Sequence, residues 1–176
     1  MIVIGFLGAP GKEGELALEV ARRAAATGAR VEMVGVAAPD ASGDKRLLQL
    51  AAEGVGHATV VRSGATALDA ADLDLALHYL PDIRAIVLVA PHASLVPPAA
   101  AESGWSGAGL VIVATKGAAP ETSAAPQAIV LEPPASDPDG TFAGLVADLA
   151  ARLDAGQDPA TAWRSTATAL AVDPVT

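Results

Sequence analysis

Three stretches decide the fold: MIVIGFL (1–7), ELALEVARRAAAT (15–27) and RVEMVGV (30–36). In the middle stretch Leu16, Val20 and Ala24 recur at the spacing of one helix face, and Gly28 follows as a typical helix stop. The outer two stretches are rich in Val and Ile without alternation, which is typical of strands buried on both faces. The three stretches therefore predict a βαβ unit with parallel strands.

The same alternation continues to the end of the chain. Further helices are predicted over residues 45–53, 69–80, 99–103, 140–155 and 159–170, and further strands over 59–61, 85–90, 110–114 and 128–131. Parallel strands need helical crossovers, so we predict a three-layer αβα fold with a mainly parallel sheet. No repeat or linker interrupts residues 1–176, which indicates a single domain. The Ala/Pro-rich segment 117–126 is the best candidate for a mobile loop, although structurally it need be no more than a long hairpin connection.

Composition excludes several classes of function. The chain carries 20 acidic against 11 basic residues, without a basic cluster, so nucleic acid is not an expected partner. It has no cysteine, and its histidines, His57, His78 and His92, lack metal-ligand spacing, so no metal site is expected. The apolar runs are too short to span a membrane, and no signal-like segment opens the chain, so the cytoplasm is the expected location.

Several motifs, in this order, resemble the ribokinase-like (PfkB) carbohydrate kinases. They are Glu15 to Arg23, Gly28 to Val36, Pro39-Asp40 with Ser42 to Asp44, Glu53 to Val55, Val111 to Gly117, Asp139 to Leu145 and Asp154 to Ala162. The resemblance implies a ribokinase-like, Rossmann-like fold, with ATP and Mg²⁺ as cofactors and a sugar or nucleoside as acceptor.

The chain also departs from that family. The β-strand lid after the first strand is missing, as are one or more units between Ala90 and Leu110. Glu15 stands where the family has Asn, and the family's Asn-x-x-Glu motif is absent. The resemblance therefore indicates a shortened, degenerate member. Loss of the lid should expose apolar surface, so we expect a homo-oligomer.

The decisive departure precedes the helix at 140–155. The family has Gly-Ala-Gly-Asp, whose amides receive phosphate charge and whose Asp is the base; this chain has Asp137-Pro138-Asp139-Gly140. Aligned on Thr141-Phe142, the base position is Gly140, which cannot take a proton, and Pro138 offers no amide. Either a one-residue shift makes Asp139 the catalytic base, or Asp137 or Asp139 caps the helix.

Other candidate site residues follow from the same resemblance. Lys116 and Gly117, with Gly140 and Thr141, are predicted to meet a nucleotide or other anion. Asp40 and Asp44 are predicted as ligand-side acids, although acids at such a turn also act as helix caps. A lone lysine in a polar turn, such as Lys116, is more often a solvated charge.

Three functions remain open from the sequence. The favoured one is a degenerate, non-catalytic ribokinase-like domain that binds a small-molecule ligand or nucleotide, or acts through self-association. The alternative is a minimal ATP-dependent sugar or nucleoside kinase that uses Asp139 as general base. An unrelated Rossmann-like nucleotide binder is disfavoured because no Gly-x-Gly-x-x-Gly follows the first strand.

Overall fold

A computed structural model describes residues 1–5, 12–64, 68–115 and 123–171. Its strands are β1 (Ile2–Gly5), β2 (Val31–Ala37), β3 (Gly56–Arg62), β4 (Ala85–Val89), β5 (Gly109–Val113) and β6 (Ile129–Leu131). Its helices are α1 (Lys12–Ala26), α2 (Ala41–Ala52), α3 (Ala70–Tyr79), α4 (Val96–Ser106), α5 (Thr141–Asp154) and α6 (Pro159–Ala171), with a 3₁₀ turn at Ala93–Leu95 before α4. The order of elements is the predicted one.

The six strands form one parallel sheet in the order β3-β2-β1-β4-β5-β6. This confirms the predicted α/β class. The order reverses between β1 and β4, and ligands of open α/β sheets bind outside the carboxyl ends of the strands near such a reversal. All six strands of the described residues belong to this sheet, so that part of the chain contains no separate lid strands.

The alternative of a hairpin connection over 117–126 is wrong. β6 pairs parallel with β5, through Val111 with Ile129 and Val113 with Leu131, whereas a hairpin would join antiparallel neighbours. Parallel pairing requires the chain to return to the amino end of the sheet before β6 begins. Residues 116–122 of this connection lie outside the described residues.

Side chains alternate between the two faces of the sheet. Ile2 and Ile4 pack beneath α1, α2, α5 and α6, while Val3 faces the layer of α3 and α4. On α6, Ala162 and Thr166 are buried, whereas Trp163 is 38% exposed. Among the described residues, no helix has the length and apolarity needed to cross a membrane.

Candidate functional site

A cleft of about 780 Å³ opens at the carboxyl ends of β4 and β5, between α1 and the start of α5. Its walls combine apolar side chains with a few polar groups. They are Glu15, Leu16, Glu19, Val89, Ala90, Val113, Ala114, Thr115, Pro133, Pro134, Ala135, Ser136, Asp137, Pro138, Gly140, Phe142 and Ala143. Its size and composition are those of a small-molecule site.

The first turn of α5 is closed by the carboxylate of Asp137. One oxygen accepts the backbone N–H of Phe142 at 3.1 Å, and the other accepts that of Ala143 at 3.1 Å. These are the amides that a helix leaves unpaired at its positive end. The capping interpretation is thereby confirmed for Asp137, which occupies the second and third amides of α5.

Arg23 ties α1 to the loop before α5. Its guanidinium donates to the Glu19 carboxylate at 2.5 Å and to the backbone carbonyl of Asp139 at 3.2 Å. Gly140 lies beside this guanidinium and has a φ of +67°. A Cβ added to Gly140 would lie 2.3 Å from Nη2 of Arg23. Sequence reasoning missed Arg23, because the contact spans 116 positions of the chain.

The carboxylates that line the cleft are each engaged. Glu15 accepts a hydrogen bond from Arg46 of α2 at 3.0 Å. Glu19 accepts from Arg22 and Arg23, and the hydrogen bond from Arg22 is the main cause that holds the Glu19 pKa below its ordinary value. Among its described lining residues the cleft has three carboxylates and no lysine or arginine.

Ala90, at the floor of the cleft, has an unusual backbone. Its φ is +47°, a left-handed conformation that costs a non-glycine residue about 1–2 kcal/mol, and Pro91 follows it. Its N–H donates to the carbonyl of Val113 on β5 at 2.7 Å, which holds the strained residue against the sheet. Nothing in the sequence Val89-Ala90-Pro91 signals this conformation.

The predicted site residues fall into three groups. Gly140 lines the cleft, while Thr141 and Asp139 are exposed beside it and outside its lining. Lys116 and Gly117 lie outside the described residues. The structure therefore brings Gly140 to the cleft together with Asp137, which was considered only as a cap.

Asp40 and Asp44 form the third group, at the start of α2. Asp40 is its N-cap and accepts the N–H groups of Ser42 and Gly43 and the Ser42 hydroxyl at 2.9, 3.1 and 2.6 Å. The Ser42 hydroxyl is the main cause that lowers the Asp40 pKa. Asp44 forms an ion pair with Arg62 of β3 at 2.6 Å. Neither residue lines the cleft.

The described residues do not fit the phosphates and Mg²⁺ that the resemblance implies. Asp137 places a carboxylate on the first turn of α5, where a phosphate would approach. The Gly140 amide donates to the Asp137 carbonyl at 3.2 Å, and Pro138 contributes no amide. No group of three or more His, Asp or Glu side chains within the described ranges is placed to hold a metal ion.

Comparisons with solved structures identify the fold. The PfkB protein from Polaromonas sp. JS666 is similar over 95% of this chain and 93% of its own, at 13% identity and a TM-score of 0.58. An E. coli protein assigned as ribokinase II, solved with ATP and Mg²⁺, is similar over 94% and 89%, at 12% identity and 0.55. Sa239 is similar over 98% of this chain and 92% of its own, at 11% identity and a TM-score of 0.59. No family model and no curated protein matches. The fold is ribokinase-like.

Proposed function

We propose that residues 1–176 form one ribokinase-like domain that binds a small ligand in the cleft and does not transfer phosphate. The observation that carries the proposal is the Asp137 carboxylate on the amides of Phe142 and Ala143. In the family that the sequence resembles, the amides of the Gly-Ala-Gly-Asp motif at this helix N-terminus receive the phosphate. Here Asp137, at the first position of that motif, places its own negative charge on amides of the same helix end.

Magnitudes support this reading. An aspartate cap contributes about 1 kcal/mol to helix stability. Two unit negative charges about 4 Å apart repel by roughly 4 kcal/mol at an effective dielectric constant of about 20. A phosphate at this helix end would therefore either lie beside Asp137 against that repulsion or displace the carboxylate and remove the cap. Ligands without an anionic group avoid that cost.

The lining of the cleft favours the same class of ligand. Its described walls are mainly apolar, with hydroxyls at Thr115 and Ser136 and carboxylates that accept hydrogen bonds. Such walls suit an uncharged molecule with an apolar body and hydroxyl or amine donors. A sugar or nucleoside without phosphate has these groups.

A phosphate-binding experiment tests the internal anion. We expect wild-type protein to show no calorimetric binding of inorganic phosphate, and Asp137→Ala to gain it, because the two α5 amides become free. Asp139→Ala is the matched control. It also removes one negative charge, from an exposed carboxylate two residues after Asp137, and it should not gain phosphate binding. Equal binding by the wild type and Asp137→Ala would contradict the proposal.

A transfer assay tests the absence of kinase chemistry. With ATP, Mg²⁺ and a panel of sugars and nucleosides, wild type should transfer no phosphate above background, since a lost general base alone costs about 10²–10⁴-fold. The same acceptors without ATP should include one that raises the melting temperature. Turnover that disappears in folded Asp139→Asn would establish the minimal-kinase alternative instead.

A further inference from the structure

The outer face of the layer formed by α3 and α4 leaves large apolar side chains in water. Leu75 and Tyr79 of α3 and Trp105 of α4 are 56%, 76% and 86% exposed. An aromatic side chain presents about 150–250 Å², so these three residues together leave on the order of 400 Å² of apolar surface uncovered. Apolar patches of that size are often functional. The three residues define the α3–α4 face.

The direction of the two helices brings these side chains together. α3 leads from β3 to β4 and α4 from β4 to β5, so both helices run back toward the amino ends of the parallel strands. They pack against each other over one core cluster, to which Leu73 and Ala99 belong. Tyr79 and Trp105 lie in the last turns of these neighbouring helices, whose axes are about 8–10 Å apart, and Leu75 lies one turn before Tyr79. The three side chains are therefore close together at one end of the layer.

The charges around the α3–α4 face are almost all negative. Residues 69–106, which include both helices, carry five carboxylates and one arginine, Arg84. The helices themselves contain no lysine or arginine, and their one basic residue is His78. Asp74 directly precedes Leu75, and Glu102 lies one turn before Trp105. This surface therefore attracts cations and repels anions.

The helix ends add to this negative potential. Tyr79 and Trp105 lie at carboxyl ends of helices, where unpaired backbone carbonyls carry partial negative charge. The last turn of α4 has no basic residue, and that of α3 has only His78, so neither turn supplies a permanent cation. A cation from another molecule would be attracted both by these carbonyls and by the faces of the two aromatic rings.

We propose that the α3–α4 face binds a cationic segment of a partner protein, with an arginine or lysine side chain over the rings of Tyr79 and Trp105 and apolar residues on Leu75. Charge decides against the other occupants. A second copy would bring an equally acidic face to a chain whose net charge is −9, and an anionic membrane surface would repel the face in the same way.

This inference is independent of the ligand role of the cleft. The α3–α4 face lies on the opposite side of the sheet from α1 and α5, which form the cleft walls. None of the three residues of the face lines the cleft. A result for one site therefore leaves the other unaffected.

Trp105 fluorescence tests binding at the face itself. The chain has two tryptophans, so Trp163→Phe leaves Trp105 as the only one. The probe is an amphipathic peptide of leucine and arginine, about 18 residues or five helical turns long, and the same peptide with glutamate in place of arginine is its control. The arginine peptide should change Trp105 emission saturably and bind more weakly at higher salt, and the glutamate peptide should not change it. No saturable binding of the arginine peptide, or equal binding of both peptides, would overturn the proposal.

Calorimetry of variants locates the binding of the arginine peptide. Trp105→Ala and Tyr79→Ala should each weaken it about tenfold or more, because aromatic anchors carry most of the affinity of an interface. Leu48→Ala is the matched control. Leu48 is 72% exposed on α2, which carries Lys45 and Arg46, and its variant should bind the peptide as the wild type does. Equal losses in all three variants would overturn the proposal.

Single-charge variants separate the acidic face from the net charge of the chain. Glu102→Gln should weaken binding of the arginine peptide about twofold to fivefold. Glu53→Gln is the matched control, because Glu53 is equally a partly exposed residue but ends α2 on the other side of the sheet, and it should change nothing. Equal losses would show that the peptide responds only to net charge and would overturn the proposal.

The two excluded occupants have outcomes of their own. Self-association of the wild type that Trp105→Ala abolishes, measured by light scattering, would assign the face to a second copy. A change of Trp105 emission with phosphatidylcholine vesicles but not with the arginine peptide would assign it to a membrane. Either result would overturn the proposal.

Discussion

Helices α2 and α5 each follow a strand and begin with an aspartate that accepts two of their first amides, and they differ in what surrounds that aspartate. At α2, Asp40 is the N-cap itself, and Gly43 lies so close to the preceding loop that an added Cβ would be 2.0 Å from the Ala38 carbonyl oxygen. At α5, Asp137 lies three residues before the N-cap Gly140, and the cleft opens beside it. The same cap closes a tight turn in one case and fills a candidate anion site in the other.

The difference has a physical origin. An N-cap aspartate reaches the second and third amides of its helix from the adjacent position, with no loop between. Asp137 reaches the same amides across Pro138, Asp139 and Gly140, and this extra loop forms part of the cleft wall. The α2 turn is therefore expected to contribute mainly to stability, and the α5 turn to contribute to both stability and the choice of ligand.

The largest effect should come from filling the tight turn. Gly43→Ala places a Cβ 2.0 Å from a backbone oxygen that cannot move without shifting the β2–α2 loop. We expect the free energy of unfolding to fall by about 3 kcal/mol or more. Chemical denaturation measures it. Gly104→Ala in α4 is the matched control, since nothing lies within 4 Å of the added Cβ. Its free energy of unfolding should rise by about 0.5–1 kcal/mol. Equal effects of the two substitutions would show that the α2 turn is not tight.

A smaller loss should come from the corresponding change at α5. Gly140→Ala forces an alanine to a φ of +67°, which costs about 1–2 kcal/mol, while the nearest atom, Nη2 of Arg23, ends a flexible side chain and can move aside. Gly140→Asn should lose less, because asparagine tolerates this conformation. Denaturation of both variants in an Arg23→Ala background separates backbone strain from the contact. A loss of stability that vanishes in the Arg23→Ala background would show that it comes from the contact with Arg23 and not from backbone strain.

This prediction also bears on restoring a catalytic base. Aligned on Thr141-Phe142, Gly140→Asp is the substitution that the family pattern would suggest. The left-handed φ and the neighbouring guanidinium mean that such an aspartate would meet Arg23 first. Phosphate transfer by the Gly140→Asp variant would therefore require the Arg23 side chain to move away from position 140.

The sequence predicted the fold well because its determinants are local. Runs such as Val111 to Ala114 and the stop at Gly28 define elements without reference to the rest of the chain. The motif at 137–140 likewise marked the start of α5 and a cap. The site itself depended on contacts between distant positions, such as Arg23 with Asp139, and on the strained φ of Ala90, which no local pattern encodes. The parallel pairing of β6 was missed for the same reason.

The smallest expected effect is a pH dependence at the α2 cap. Hydrogen bonds, foremost from the Ser42 hydroxyl, lower the pKa of Asp40 below its ordinary value of 3.8. A carboxyl whose pKa is lower in the folded state stabilises the fold above the unfolded-state pKa, and this contribution is lost as the pH falls through the folded-state pKa. The difference in unfolding free energy between wild type and Asp40→Asn should therefore shrink as the pH falls below about 4. Repeating the pair in a Ser42→Ala background removes the main cause of the lowered pKa, so the pH-dependent part should become smaller. If Ser42→Ala leaves the pH dependence unchanged, the lowered pKa of Asp40 comes from the backbone N–H groups of Ser42 and Gly43 alone. The Asp40 carboxylate would then cap α2 only through backbone N–H groups, as the Asp137 carboxylate caps α5.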